Sequence, residues 1–125
     1  MGRGMPWREA RAVGDRGEDL ACAHLERMGW QLVERNWRCR QGEIDVVARD
    51  PDGELVFCEV KTRRSARMGL PVEAVGHAKA RRLRVLAWAW LAAHEERPGR
   101  FRIDLIGVLT VPGRAPRLEH LEAVA

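Results

Sequence analysis

The turn Asp50-Pro51-Asp52-Gly53 constrains this chain more than any other segment. Pro presets φ at the first central turn position, and Gly accepts the left-handed one. Pro51-Asp52-Gly53 therefore reads as a three-residue loop, a type I turn closed by a glycine bulge. Asp50 then faces Glu54. Antiparallel partners keep a constant sum of residue numbers, so Asp45 faces Glu59 and Glu43 faces Lys61. Two carboxylates and an ammonium share one face of a two-stranded ribbon. That grouping can hold a divalent metal beside a general base. A two-residue loop would put Asp45 and Glu59 on opposite faces.

Alternation supports the pairing. Leu55, Phe57, Glu59 and Lys61 share one face of the second arm, and Val56, Cys58 and Val60 the other. In the first arm Ile44, Val46 and Ala48 lie opposite Glu43, Asp45 and Val47. Both faces carry apolar residues, as expected of central strands covered on both sides. Charges at the end of such a sheet are costly unless paired or metal-bound. An exposed hairpin end with cross-strand Glu–Lys pairs is the plainer alternative, and the hairpin alone leaves both open.

At 125 residues, with 46% hydrophobic and 32% charged residues, the chain fits one soluble globular domain. No apolar run approaches the ~20 residues that span a bilayer. The first seven residues lack a signal-peptide core, and Pro6 breaks the myristoylation pattern. Cys22, Cys39 and Cys58 are widely spaced, without a Cys-x-x-Cys pair. Zinc is not expected, and reduced thiols in the cytoplasm are. His24, His77, His94 and His120 form no ligand cluster in sequence and read as core or surface fillers.

The net charge of +4 and pI near 9.6 permit a polyanionic partner. Of 22 basic residues only Lys61 and Lys79 are lysine. Where any cation suffices this chain uses Arg, so a retained Lys points to a compact, titratable ammonium. Codon bias gives the same pattern without function. Lys61 has weight because it sits beside Glu59.

Along the chain, residues 1–12 read as a flexible basic arm and 13–125 as a single domain. A helix is predicted over 17–28, capped by Asp15 with Glu18 in a capping box and ended by Gly29. Glu18 also falls on the apolar stripe of Ala21, Leu25 and Met28. It can complete the cap, aim a carboxylate at the sheet, or do both. A strand follows over 30–38 with Leu32 and Val33 inside, then the two hairpin strands. Residues 62–70 read as a loop with Arg63, Arg64 and Arg67. A long helix is predicted over 71–94, burying Val75, Leu83, Leu86 and Trp90. Pro98-Gly99 breaks the chain before a strand over 101–109 that contains Asp104. Residues 117–122 read as a short strand or tail. Helix, three strands, helix and strand make an α/β sandwich with a mixed sheet.

Several segments together resemble a known family. They are Gly14-Asp15-Arg16-Gly17-Glu18, Gly42-Glu43-Ile44-Asp45 and Glu59-Val60-Lys61-Thr62-Arg63. Gly69-Leu70-Pro71-Val72-Glu73-Ala74-Val75, Lys79-Ala80-Arg81-Arg82-Leu83 and the stretch from Phe101 to Val108 complete the set. In this order, over roughly residues 13–109, they resemble the YraN-like family of small bacterial proteins. That family is regarded as part of the PD-(D/E)xK nuclease superfamily, similar to archaeal Holliday-junction resolvases. The resemblance implies a restriction-endonuclease-like core with a mixed sheet flanked by helices. It places Asp45 as the first metal carboxylate, Glu59 and Lys61 as the second half-motif, and Glu18 as the helical acidic residue. Ile44 stands where the superfamily pattern has Pro.

Phosphodiester hydrolysis needs neutralised phosphate charge and an activated water. Mg2+ or Mn2+ prefers oxygen ligands, which Asp45, Glu59 and the Val60 carbonyl can supply. Lys61 would orient the attacking water or stabilise developing charge, and Glu18 would bind metal through water or hold a second ion. Arg63, Arg64, Arg67, Lys79 and Arg82 are expected to contact the DNA backbone. The expected activity is a metal-dependent DNA endonuclease, on branched or damaged DNA. A non-catalytic nucleic-acid-binding or accessory module is the alternative, and a protein-interaction domain the blandest one. DNA is the expected partner, a membrane is not, and a homodimer is left open.

Overall fold

A computed structural model describes residues 6–65 and 77–124. Its elements are α1 (Pro6–Arg27), β1 (Gln31–Cys39), β2 (Gly42–Arg49), β3 (Leu55–Arg63), α2 (His77–Ala93), β4 (Phe101–Leu109) and β5 (Arg117–Leu121). The strands form one sheet in the order β1-β2-β3-β4-β5. All neighbours are antiparallel except β3 and β4, which are parallel. A parallel pair needs a crossover, and α2 lies in that connection. The expectation of an α/β fold with a mixed sheet flanked by helices holds.

The turn behaves as its residues dictate. The Gly53 amide donates to the Asp50 carbonyl at 2.8 Å, and the Asp50 amide to the Glu54 carbonyl at 3.0 Å. Gly53 takes φ of +87°. Asp50 Oδ1 also accepts from the amides of Asp52 and Glu54, both at 2.9 Å, which fixes the loop from inside.

Both faces of the sheet are covered. On one, Ala21, Cys22 and Leu25 of α1 pack with Val46, Ala48, Val56, Cys58, Ile106 and Val108. On the other, Leu83, Leu86, Trp90 and Leu91 of α2 pack with Val47, Leu55, Phe57 and Ile103. Each buried Leu, Ile, Val or Phe among them contributes about 1.5–3 kcal/mol, so the two helices are fixed mainly by these stripes. Cys22 and Cys58 serve as core residues.

Four expectations change. α1 begins at Pro6, so Asp15 lies inside the helix and cannot cap it. Gly14 and Gly17 both lie inside α1, where each costs about 1 kcal/mol relative to alanine. The C-terminus is as expected: Gly29, at φ +86°, donates to Glu26, and Trp30 to Leu25, each at 3.0 Å. Val33 is 40% exposed rather than inside, because β1 bulges between Leu32 and Glu34 and turns it out. Thr62 and Arg63 belong to β3, paired with Val108 and Leu109 of β4. Ile44 joins the α2-side core while Val46 and Ala48 join the α1 side. Strict alternation therefore fails at Asp45. The predicted helix start at 71 and Val75 lie outside the described residues.

Candidate active site

The site forms where β2 and β3 part. Their ladder runs from Arg49↔Leu55 to Val46↔Cys58, in the register set by the turn, and ends there. Asp45 and Glu59 are next in that register but outside the ladder. The Val60 amide donates instead to Asp45 Oδ2 at 2.8 Å. A strand residue sends its N–H and C=O to the same edge, so the Val60 carbonyl opens on the same gap. Glu43 does not face Lys61. It pairs with Arg38 across β1, in the ladder and through an ion pair of 3.4 Å.

Glu18 comes from α1. A Cβ on Gly17 would lie 1.9 Å from Thr62 Oγ1, so glycine is what lets α1 press onto β3 at this point. Glu18 follows directly, with its side chain 13% exposed. Arg35 Nη2 reaches it at 3.5 Å and Asp19 at 2.9 Å. Burial pushes the Glu18 carboxyl up, against hydrogen bonds from Asn36 and Arg35.

Glu59 and Lys61 stand on the α2 face of β3, in step with Leu55 and Phe57. Lys79 of α2 forms an ion pair with Glu59. Expected on a DNA-contacting surface, Lys79 is part of the carboxylate site. The signal for it was in the sequence: it is the other retained lysine. Partial burial first, then the Lys79 ammonium beside it, draw Lys61 below the ordinary lysine range, with Glu59 opposing. Burial acts against Lys79 too, but its bond to Glu59 holds it above that range.

Asp45 carries the strongest perturbation of the site. Its carboxyl is pushed up to about 7 by burial, and by Glu59, Glu18 and Glu43, while the Val60 amide opposes. Mutually repelling, half-dry carboxylates hold a proton where a cation would relieve them. The donor set is all oxygen, which fits Mg2+ or Mn2+. Glu18, Asp45 and Glu59 do not all gather within 4.8 Å of one another; among the described residues Asp104, His120 and Glu122 do. That second group already has its cation. Arg102 bonds both Asp104 oxygens, at 3.0 and 3.3 Å, and reaches Glu122 at 3.6 Å. His120 was read as a filler, yet its Nε2 lies 2.8 Å from Asp104 Oδ2. Only the shared face of residues two apart hinted at the Arg102–Asp104 pair.

Arg64 and Arg82 are exposed, and Arg63 is half-buried at the end of β3. Arg67 lies outside the described residues. A cleft of about 500 Å³ opens at the turn end, between Glu54, Glu96 and Arg100, away from the carboxylates. No helix among the described residues is long and apolar enough to cross a membrane.

The fold and site thus define an α/β protein in which α1, α2 and the parted central strands bring three carboxylates and two lysines within electrostatic reach of one another. Its sequence belongs to the uncharacterised protein family UPF0102, whose model matches residues 17–108. The resemblance drawn from its motifs is to that family. A UPF0102 protein of Streptomyces griseus subsp. griseus is 56% identical over 115 residues, covering 91% of this chain and 96% of its own. One from a Mycobacterium species is 50% identical over 120 residues, covering 95% and 88%. A solved structure titled "Structure of EndoMS-dsDNA2 complex" aligns with a TM-score of 0.37 and 20% identity. It covers 59% of this chain and 26% of that one, a likeness too slight to bear on fold or activity.

Proposed function

We propose that this protein is a metal-dependent DNA endonuclease with a restriction-endonuclease-like core, acting in the cytoplasm on branched or damaged DNA. The observation that carries the reading is the convergence of Glu18, Asp45 and Glu59, from three different elements, on an Asp45 whose carboxyl is pushed up to about 7. Structural carboxylates are paired; this one, half-buried, has an amide as its hydrogen-bond partner. Asp45, Glu59 and the Val60 carbonyl would hold Mg2+ or Mn2+. Bound there, the ion would neutralise phosphate charge and lower the pKa of a coordinated water. Lys61 would hold the attacking water or meet developing negative charge. Glu18 would support the site from α1. Arg63, Arg64 and Arg82 would bind phosphates and position the strand without reading sequence.

One observation favours a second reading. The Lys79–Glu59 ion pair satisfies Glu59 without any metal, as a nucleic-acid-binding module of the same fold would need. A cleavage panel separates the two. Single-stranded, duplex, flap and four-way DNA are incubated with Mg2+ or Mn2+, with Asp45→Ala as control. Metal-dependent cleavage lost in Asp45→Ala supports the nuclease. Salt-sensitive binding with no cleavage by any divalent ion supports the module.

A further inference from the structure

α2 turns to solvent a face that the carboxylate site leaves unused. Arg81, Arg84, Val85 and Trp88 follow one another there at helical spacing. Trp88 is 58% exposed and Val85 51%. The indole is nevertheless held: it meets the Phe101 ring edge to face at 5.1 Å and 88°. The Arg84 guanidinium lies 5.2 Å from the centroid of the same Phe101 ring. A side chain ordered before its ligand arrives loses less entropy on binding.

Charge says what the ligand is. α2 carries Lys79, Arg81, Arg82 and Arg84 and no acidic residue along HAKARRLRVLAWAWLAA. A second copy meeting it through the same face would bring Arg81 and Arg84 against like charges. A nucleic-acid strand offers phosphates to the guanidinium groups and a base face to the indole. A duplex keeps its bases stacked on one another, so only an unpaired base can use Trp88. Along α2, Trp88 lies roughly 13 Å from Lys79, at about 1.5 Å per residue. Lys79 in turn pairs with Glu59. Nine residues also carry Trp88 about half a turn round α2 from Lys79, and its Phe101 contact lies beside Leu55 at the turn end, so a strand that touches both must pass round the helix.

We propose that the Arg81–Arg84–Trp88 face of α2 is a stacking platform for an unpaired nucleotide of single-stranded DNA. It deepens the nuclease reading, resting on it for what lies at the far end of the strand. It narrows the substrate to DNA with an unpaired stretch.

The test measures binding of the full chain in EDTA, where no cleavage occurs. Fluorescence anisotropy follows a labelled oligothymidylate and a blunt duplex of equal length. Trp88→Ala weakens the single strand about 5- to 150-fold, the worth of one stacked base, and shifts the duplex by less than about twofold. Trp88→Phe keeps most of the affinity. Unchanged single-strand binding in Trp88→Ala overturns the proposal. So does an equal loss on both ligands, or a dimer in sedimentation that Trp88→Ala dissolves without affecting DNA. If Trp88 governs binding but no divalent ion supports cleavage, the platform stands and the nuclease reading falls. If the protein cleaves DNA but ignores Trp88, the reverse holds.

Discussion

Two clusters of carboxylates in this molecule differ in one ingredient. Around Arg102, on the α1 face near the turn, Asp104 is fully buried and yet lies below the usual carboxylate range. Burial pushes it up, but His120, Arg102 and the Ala123 amide more than offset that. Asp50, 2.8 Å from the same guanidinium, is also lowered. Around Asp45, in the gap where β2 and β3 part, burial and three neighbouring carboxylates push the acid up to about 7. Lys79 is paired with Glu59, so Asp45 has the Val60 amide as its partner. Burial raises both acids; a cation written into the sequence lowers one of them. The first cluster is complete as folded. The second is short of positive charge, as a site for a ligand cation would be.

The largest effect should come from the incomplete cluster. Lys61→Ala is expected to slow cleavage by about 10²–10⁴-fold, the range for a positioned proton-transfer or charge-stabilising group. DNA affinity should barely move, because one cation among many contributes little to backbone binding. Lys61→Arg should also fail, since a guanidinium is bulkier, planar and hard to deprotonate. Single-turnover rates and anisotropy on the same variants check this. Near-full activity in Lys61→Arg would reduce Lys61 to a bare charge and blur the contrast between the clusters.

The complete cluster should respond in stability instead. Asp104→Ala leaves Arg102, His120 and the Ala123 amide without their shared acceptor. Breaking a buried pair in this way costs about 3–5 kcal/mol, to be read from urea melts. A loss under about 1 kcal/mol would mean that the Arg102 network is no more structural than the Asp45 site.

How far this contrast could be read from sequence depends on range. The Asp50-Pro51-Asp52-Gly53 turn fixed the β2–β3 register because its geometry is local, and Glu59 and Lys61 fell on one face as that register requires. What failed was continuation: the ladder stops at Val46↔Cys58, and an alternating pattern carries no signal of where strands part. Lys79 was seen but misplaced, since its meeting with Glu59 depends on how α2 lies across the sheet. Arg102 with Asp50 and Asp104 was not seen, because 52 residues separate Arg102 from Asp50. The long α1 was missed for a further reason. The predicted helix starts at Gly17, and Gly14 ahead of it gives no local signal of the turns back to Pro6.

The next effect in size is on pH. The Asp45 proton is held more tightly in the folded chain than in the unfolded one, where the carboxyl titrates near 4. Its stabilising contribution is complete below about pH 4 and is lost as pH rises toward 7. Wild type at pH 8 should therefore fall short of its Asp45-linked stability at low pH by about 2–4 kcal/mol. Asp45→Asn should remove that slope. His24, drawn down by burial first and by His120, works in the opposite sense, losing stability as pH falls through its unfolded value. The difference between wild type and Asp45→Asn cancels His24 and isolates the acid. Mg2+ at pH 8 should raise the melting temperature of wild type and leave Asp45→Asn unmoved. Equal response in both would deny Asp45 a cation.

The smallest effect separates cations already matched by protein carboxylates from those left for phosphate. Arg49 is paired with Glu96 at 3.5 Å, whereas Arg64 is exposed past the end of β3, beyond the parted strands. Arg64→Ala should lower the salt slope of DNA binding by about one and leave the single-turnover rate on saturated DNA unchanged. Arg63→Ala should act in the same direction, from the last position of β3. Arg49→Ala should change neither slope nor rate, because its charge already has a partner. Log affinity against log salt for the three variants reads this directly. If Arg49→Ala flattens the slope as much as Arg64→Ala does, DNA does not favour the end of the sheet where the carboxylates lack a cation.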